Sequence, residues 1–251
     1  MTGRYRYLLL LAAALVLSGC GQSNYSWGWN AVLPLTDRGM TNFQFMVAGA
    51  RLTVQLSVIA LFFSVLIGLF VSLAALSPFR ILRVLNRVYV EVFRSIPILV
   101  MILWVYYGLP VLVGVNLSPI MAGIIALVAS DSAFEAEIFR GGIQSIHKGQ
   151  HEASDSLGMS YAQKMRYVIL PQAITRILPP LGNQFVYMLK MSSLLSVIGV
   201  MELTRRANEL AVVEYRPLEI YTLLLVEYLV LILVASWLVR LLEKKMRVGQ
   251  V

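Results

Sequence analysis

Long apolar runs, rather than alternation, dominate the chain. Leu52 to Phe79 carries no charge, and neither does the 36-residue stretch from Ser95 to Ser130. A helix crossing a bilayer needs about 20 apolar residues, so the second run is too long for one span. Pro110, Gly114, Asn116, Ser118 and Pro119 interrupt it and mark a turn. The pattern predicts five spans. The first begins near Phe45 and includes 52–79. The others cover about 92–112, 118–138, 180–201 and 219–241. Lys190 lies inside the fourth and Glu227 inside the fifth. The fold class is all-α and integral to the membrane.

Composition agrees. Apolar residues make up 59% of the 251 and charged residues 14%, against about 25% in soluble domains. The net charge of +8 is explained by basic loops on the cytoplasmic side, and no nucleic-acid partner is expected. Arg80, Arg83 and Arg87 follow the first span. Arg140, Lys148, Lys164, Arg166 and Arg176 lie between the third and fourth, and Lys244, Lys245 and Arg247 end the chain. A five-span zigzag puts all three groups on one side, which is therefore cytoplasmic. The segment before the first span and the mixed-charge loop 202–218 lie outside.

The N-terminus reads as a leader. Arg4 and Arg6 precede an apolar run, Leu8 to Leu17, too short to span. Leu17-Ser18-Gly19-Cys20 is similar to the lipobox of bacterial lipoproteins, making Cys20 a lipidation candidate; the alternative is an uncleaved leader with an idle cysteine. Trp27 and Trp29 suit an interfacial anchor. Cys20 is the single cysteine, so no intramolecular disulfide or cysteine-based metal cluster can form. His147 and His151 lack an HExxH frame, and neither metal nor cofactor is expected.

Between the third and fourth spans, 149–157 reads as a short helix ended by Gly158. Ser160 and Gln163 form a capping-box pattern opening a second helix, which Pro171 should close. Two short helices around a glycine turn, outside the membrane, suit docking of a soluble partner.

Here the sequence resembles the permease subunits of ATP-binding-cassette (ABC) importers. Glu152-Ala153-Ser154, Gly158, Val168 and Leu170-Pro171 follow the spacing of their "EAA" loop, with Ser154 and Val168 as mild departures. Phe93-Arg94-Ser95-Ile96-Pro97, Ala136 to Ile143, Lys148-Gly149-Gln150, Leu170 to Ala173, Pro179 to Gln184 and Val197 to Leu203 resemble the polar amino acid subfamily. The resemblance covers about 45–245. It implies a five-span type I (MetI-like) permease domain at 45–245 in a bacterial inner membrane, after the leader at 1–20 and the periplasmic segment at 21–44 read above. It also implies an ATPase subunit dimer docked on the loop, a periplasmic amino-acid-binding protein, and a second permease copy or paralogue. One departure is Met191 after Lys190, where the family usually has an acidic residue.

The chain has no GxxxxGK[ST], so ATP hydrolysis must lie elsewhere. The rival readings are an integral-membrane enzyme, for which His147, His151 and Glu152 are the only candidates, and a membrane anchor or signalling protein. Ionisable residues within spans mark a pathway or a structural pair. Lys190, Asp131, Glu135 and Arg94 are therefore candidates for the substrate path. Lys190 either meets a substrate carboxylate near the midplane, pairs with Asp131, Glu135 or Glu227, or snorkels. Arg94, nearer the cytoplasmic rim, is a hinge or interface charge in the alternative reading.

Overall fold

The computed structural model describes residues 25–248; the leader and Cys20 lie outside them. Eight helices form among the described residues: α1 (Asp37–Ala75), α2 (Arg80–Ser95), α3 (Ile98–Val113), α4 (Pro119–Gln144), α5 (Lys148–Ser156), α6 (Tyr161–Ile198), α7 (Leu203–Glu214) and α8 (Pro217–Val248). α1, α4 and α8 are each long and apolar enough to cross a membrane; the bent pairs α2–α3 and α6–α7 bring the number to five if each is one span.

α1 begins at Asp37, eight residues before the hydropathy boundary at Phe45, and ends at Ala75 rather than Phe79. Thr36 caps it by accepting the Gly39 N–H at 3.0 Å, and hydrogen bonds within the helix carry the polar residues of its first turns. Its buried face repeats small residues: Gly49, Thr53, Ser57, Ala60, Ser64, Gly68 and Ser72. Small side chains at this spacing let helix backbones approach closely in a membrane. α4 answers with Ala122, Ala126, Ser132, Ala133 and Ala136, also buried. At Gly68 an added Cβ would stand 2.4 Å from the Glu135 Cβ, so no larger residue fits. Phe62, Phe63 and Phe70 of α1 remain exposed, as suits a lipid-facing side.

The second span is broken. Arg80 to Arg87, expected as a loop, opens a helix, and α2 meets α3 at 98°. The corner is Ile96-Pro97. A residue before proline is driven out of the helical region, and Ile96 is extended at ψ 124. Hydropathy reads straight through this corner because apolar residues flank it on the α3 side. Gly114, at φ +70, then ends α3, and Ser118 caps α4. α4 outruns the expected 118–138 by one turn and a half, to Gln144.

Pro171 does not close its helix. α6 runs through it because Met165–Ile169 form a π turn, in which the Leu170 N–H reaches back to Met165. The wider turn takes the ring in without the hydrogen bond proline lacks. Pro179 and Pro180 lie inside the same helix. The last turns of α6, Ser192–Ile198, tighten to 3₁₀ and end at Gly199, φ +86. The loop expected over 202–218 is instead mostly α7, bent 49° from α6.

Residues 25–36 form a strap laid over the start of α8. The buried Glu219 carboxylate accepts the Gly28 N–H at 2.6 Å and the Tyr25 hydroxyl. That hydrogen bond to Glu219 holds the Tyr25 phenol above its ordinary pKa. Arg216 donates to the Ser26 carbonyl and lies over the Tyr25 ring. Asn42 ties the strap to α7 through Ala31 O at 2.7 Å and Glu214 Oε1 at 2.8 Å. Val32 is fully buried with Met46, Leu203, Leu210 and Ile220. Trp27 and Trp29 stack at 5.4 Å.

Candidate docking loop and translocation route

The helix–glycine–helix arrangement is present between α4 and α6. His147 caps α5, its Nδ1 accepting the Gly149 N–H at 3.1 Å. Gly158 takes φ +70 with open space around it. Ser160 accepts the Gln163 N–H at 3.4 Å while the Gln163 side chain accepts the Ser160 N–H at 2.9 Å. The capping box is closed.

The motif residues fall into two sets. Ser154 is buried and donates to Gln150 O at 2.7 Å, and Val168 packs on the buried cluster of Ile146, Ile169, Ala173 and Ile177. The Ser154 bond closes within α5, and Val168 ties the start of α6 to Ile146 in the α4–α5 connection. Glu152, Ala153, Gly158, Leu170 and Pro171 face outward, beside Leu157, Tyr161 and Tyr167, which are 80%, 71% and 63% exposed. The outward set makes an apolar and aromatic surface on a rigid base. Two fastenings carry no sequence signal of their own: Lys164 Nζ to Asp155 at 2.7 Å, and Gln172 to Gln150 at 3.2 Å.

The four charged path candidates do not converge. Asp131 is buried within the subunit. Its Oδ2 accepts from Ser64 of α1 and its Oδ1 from Gln184 of α6, each at 2.6 Å. Because α4 extends to Gln144, Asp131 sits at the helix midpoint, deeper than the 118–138 boundary implies. Glu135 lies one turn further along α4, fully buried, with neither oxygen partnered among the described residues. Glu227, in α8, has two buried oxygens in the same condition.

Lys190 stands at the end of the α-helical part of α6, exposed, and makes no ion pair among the described residues. The pairing of Lys190 with Asp131, Glu135 or Glu227 is therefore absent. Arg94 lies elsewhere again, its guanidinium 5.0 Å from the Phe134 ring centre. It lines a cavity of about 430 Å³ between α2 and α4 with Arg83, Arg87, Glu91, Glu137 and Arg140.

Glu202 was legible only as part of a motif. In the structure it is fully buried and caps α7, accepting the Thr204 and Arg205 N–H groups at 2.9 and 2.7 Å, with Tyr228 donating at 3.1 Å. A glutamate directly before a helical segment is the signal that could have found it.

Among the described residues the chain is a helical bundle with two bent helix pairs and a two-helix loop. The chain belongs to the family described as binding-protein-dependent transport system inner membrane component, whose match covers residues 64–248. Members are multi-pass, non-enzymatic permease subunits of ABC importers, with the ATPase on a separate subunit. The chain is 38% identical over 221 residues to the glutamine transport system permease protein GlnP of Escherichia coli (strain K12), covering 88% of this chain and 98% of that one. It is 40% identical over 205 residues to the probable glutamine ABC transporter permease protein GlnM of Bacillus subtilis (strain 168), covering 82% and 94%. A solved amino acid ABC transporter with histidines superposes with a TM-score of 0.78 at 40% identity, over 85% of this chain and 100% of that one. The inward-facing MetNI methionine transporter shares the fold, with a TM-score of 0.70 at 21% identity over 84% and 99%.

Proposed function

We propose that the chain is the transmembrane subunit of an ABC importer for a polar amino acid, with glutamine the first substrate to test. The observation that carries this reading is the 38% identity spanning 98% of the glutamine permease of Escherichia coli. The subunit works beside a second permease copy or paralogue, under a periplasmic amino-acid-binding protein and over an ATPase dimer. The ATPases seat on Glu152, Ala153, Gly158, Leu170 and Pro171, and Ser154 and Val168 transmit their closure to α6. The basic ends of α2, α4 and α8 lie on the cytoplasmic side, and the strap and α7 on the periplasmic side. Asp131 holds α1, α4 and α6 together, whereas Lys190 faces outward toward the second permease and the route. The leader is removed and Cys20 carries lipid.

The test is reconstitution of the permease with its ATPase in liposomes. Labelled glutamine should enter only with ATP and the binding protein present. Absence of uptake for glutamine and every other polar amino acid would sink the reading.

A further inference from the structure

The cavity between α2 and α4 contains charges that the subunit itself leaves unspent. Arg83, Arg87, Glu91 and Arg94 recur at three- and four-residue steps and so share one face of α2. Across from them Glu137 and Arg140 satisfy each other, at 2.8 and 2.6 Å, and Arg140 also donates to Gln144. Arg83 is committed to the Ser77 and Pro78 carbonyls at 2.9 and 2.8 Å. Arg87, Glu91 and Arg94 remain, with no side-chain hydrogen bond or ion pair among the described residues. Arg94 is nonetheless held in place against Phe134. Glu91 sits four residues after Arg87 and three before Arg94, within reach of pairing with either, yet pairs with neither.

Two guanidinium groups flanking one carboxylate are complementary to a carboxylate with an ammonium one bond away, the constant part of every free α-amino acid. Arg87, Glu91 and Arg94 are exposed, so a solute can reach them. A cavity of about 430 Å³ is large enough for an amino acid and leaves its side chain unspecified. Arg94, which lines the cavity, lies two residues before the Ile96-Pro97 corner where α2 meets α3 at 98°.

We propose that this cavity is a way-station for the zwitterionic head of the transported amino acid on the cytoplasmic half of its route. Arg87 and Arg94 bind the carboxylate and Glu91 binds the ammonium. The proposal rests on the importer reading above and adds a site to it.

The experiment uses the assembled permease–ATPase complex without binding protein, and equilibrium dialysis with labelled glutamine. Competitors are glutamine α-amide, which lacks the carboxylate, and the des-amino analogue, which lacks the ammonium. Wild type should bind glutamine saturably and neither analogue well. Arg94→Gln should weaken binding about tenfold or more, the scale of a lost charge-assisted bond, and abolish the preference over the α-amide. Arg94→Lys should restore part of it. Glu91→Gln should abolish the preference over the des-amino analogue. Co-elution of the subunits confirms that each variant assembles. The site is overturned if the variants bind and discriminate as wild type does, or if a wild-type complex that imports glutamine binds none. It is equally overturned if the variants lose co-purifying phosphatidylglycerol instead of glutamine. Failure of the wild type to import any polar amino acid refutes the importer reading itself.

Discussion

The Ser64 hydroxyl donates to Asp131 Oδ2 at 2.6 Å, joining α1 to the midpoint of α4. Gln184 of α6 takes the other oxygen, so one carboxylate fastens three helices. A hydrogen bond to a charged group contributes about 1.5–3 kcal/mol. Ser64→Ala should lower stability by about that amount, and Asp131→Leu by more, since it strands both donors. Thermal unfolding in detergent measures both. Equal midpoints for wild type and Ser64→Ala would remove Asp131 from the structural role.

Gly158 has φ +70 and open space around it, so a substitution there is opposed by backbone conformation alone. A β-branched residue is strongly disfavoured in that region, and asparagine tolerated. Gly158→Val should abolish uptake and weaken co-purification of the ATPase at near-normal membrane levels, while Gly158→Asn retains most activity. Full transport by the valine variant would count against docking at this loop.

Lys190 is exposed and unpaired among the described residues, so its loss should leave the fold intact. Lys190→Met is expected to assemble normally, keep basal ATPase activity and raise the half-saturating substrate concentration. If the complex fails to assemble, the lysine belongs to the permease–permease interface. Unchanged transport would remove it from the route.

Orientation can be read with an impermeant thiol reagent in a Cys20→Ser background. Single cysteines at Arg83 and Gln163 should resist labelling in intact cells, and one at Val213, which is 67% exposed on α7, should react. Labelling at Gln163 from outside would invert the topology.

Cells fed labelled palmitate should label the wild-type chain and not Cys20→Ser. Transport should survive the change, because spanning helices anchor far more strongly than acyl chains. An unlabelled wild type leaves Cys20 a plain thiol in an uncleaved leader.

The spans were legible because hydrocarbon thickness imposes length and apolarity on each, and the helix–glycine–helix loop because its glycine and capping box are local devices. Errors arose where a local rule met a longer-range one. Pro171 is a stop signal by itself, yet the π turn before it accommodates the ring. Arg80 to Arg87 looked like a loop because their charges hid an amphipathic face. Asp131 offered its charge to a sequence reading but not its partners, which lie 67 and 53 residues away. No periodicity encodes such a meeting.

The strap carries a consequence for biogenesis. Tyr25 and Glu219 touch across 194 residues of chain, so the strap is fastened by a helix made long after it. Contacts of such separation close late. Until α8 has been inserted, Tyr25 and Gly28 lack the Glu219 carboxylate that receives them, although Ala31 and Val32 already meet α1. A chain truncated before α8 would therefore leave the Tyr25–Gly28 end of the strap undocked while its Ala31–Val32 end stays on α1.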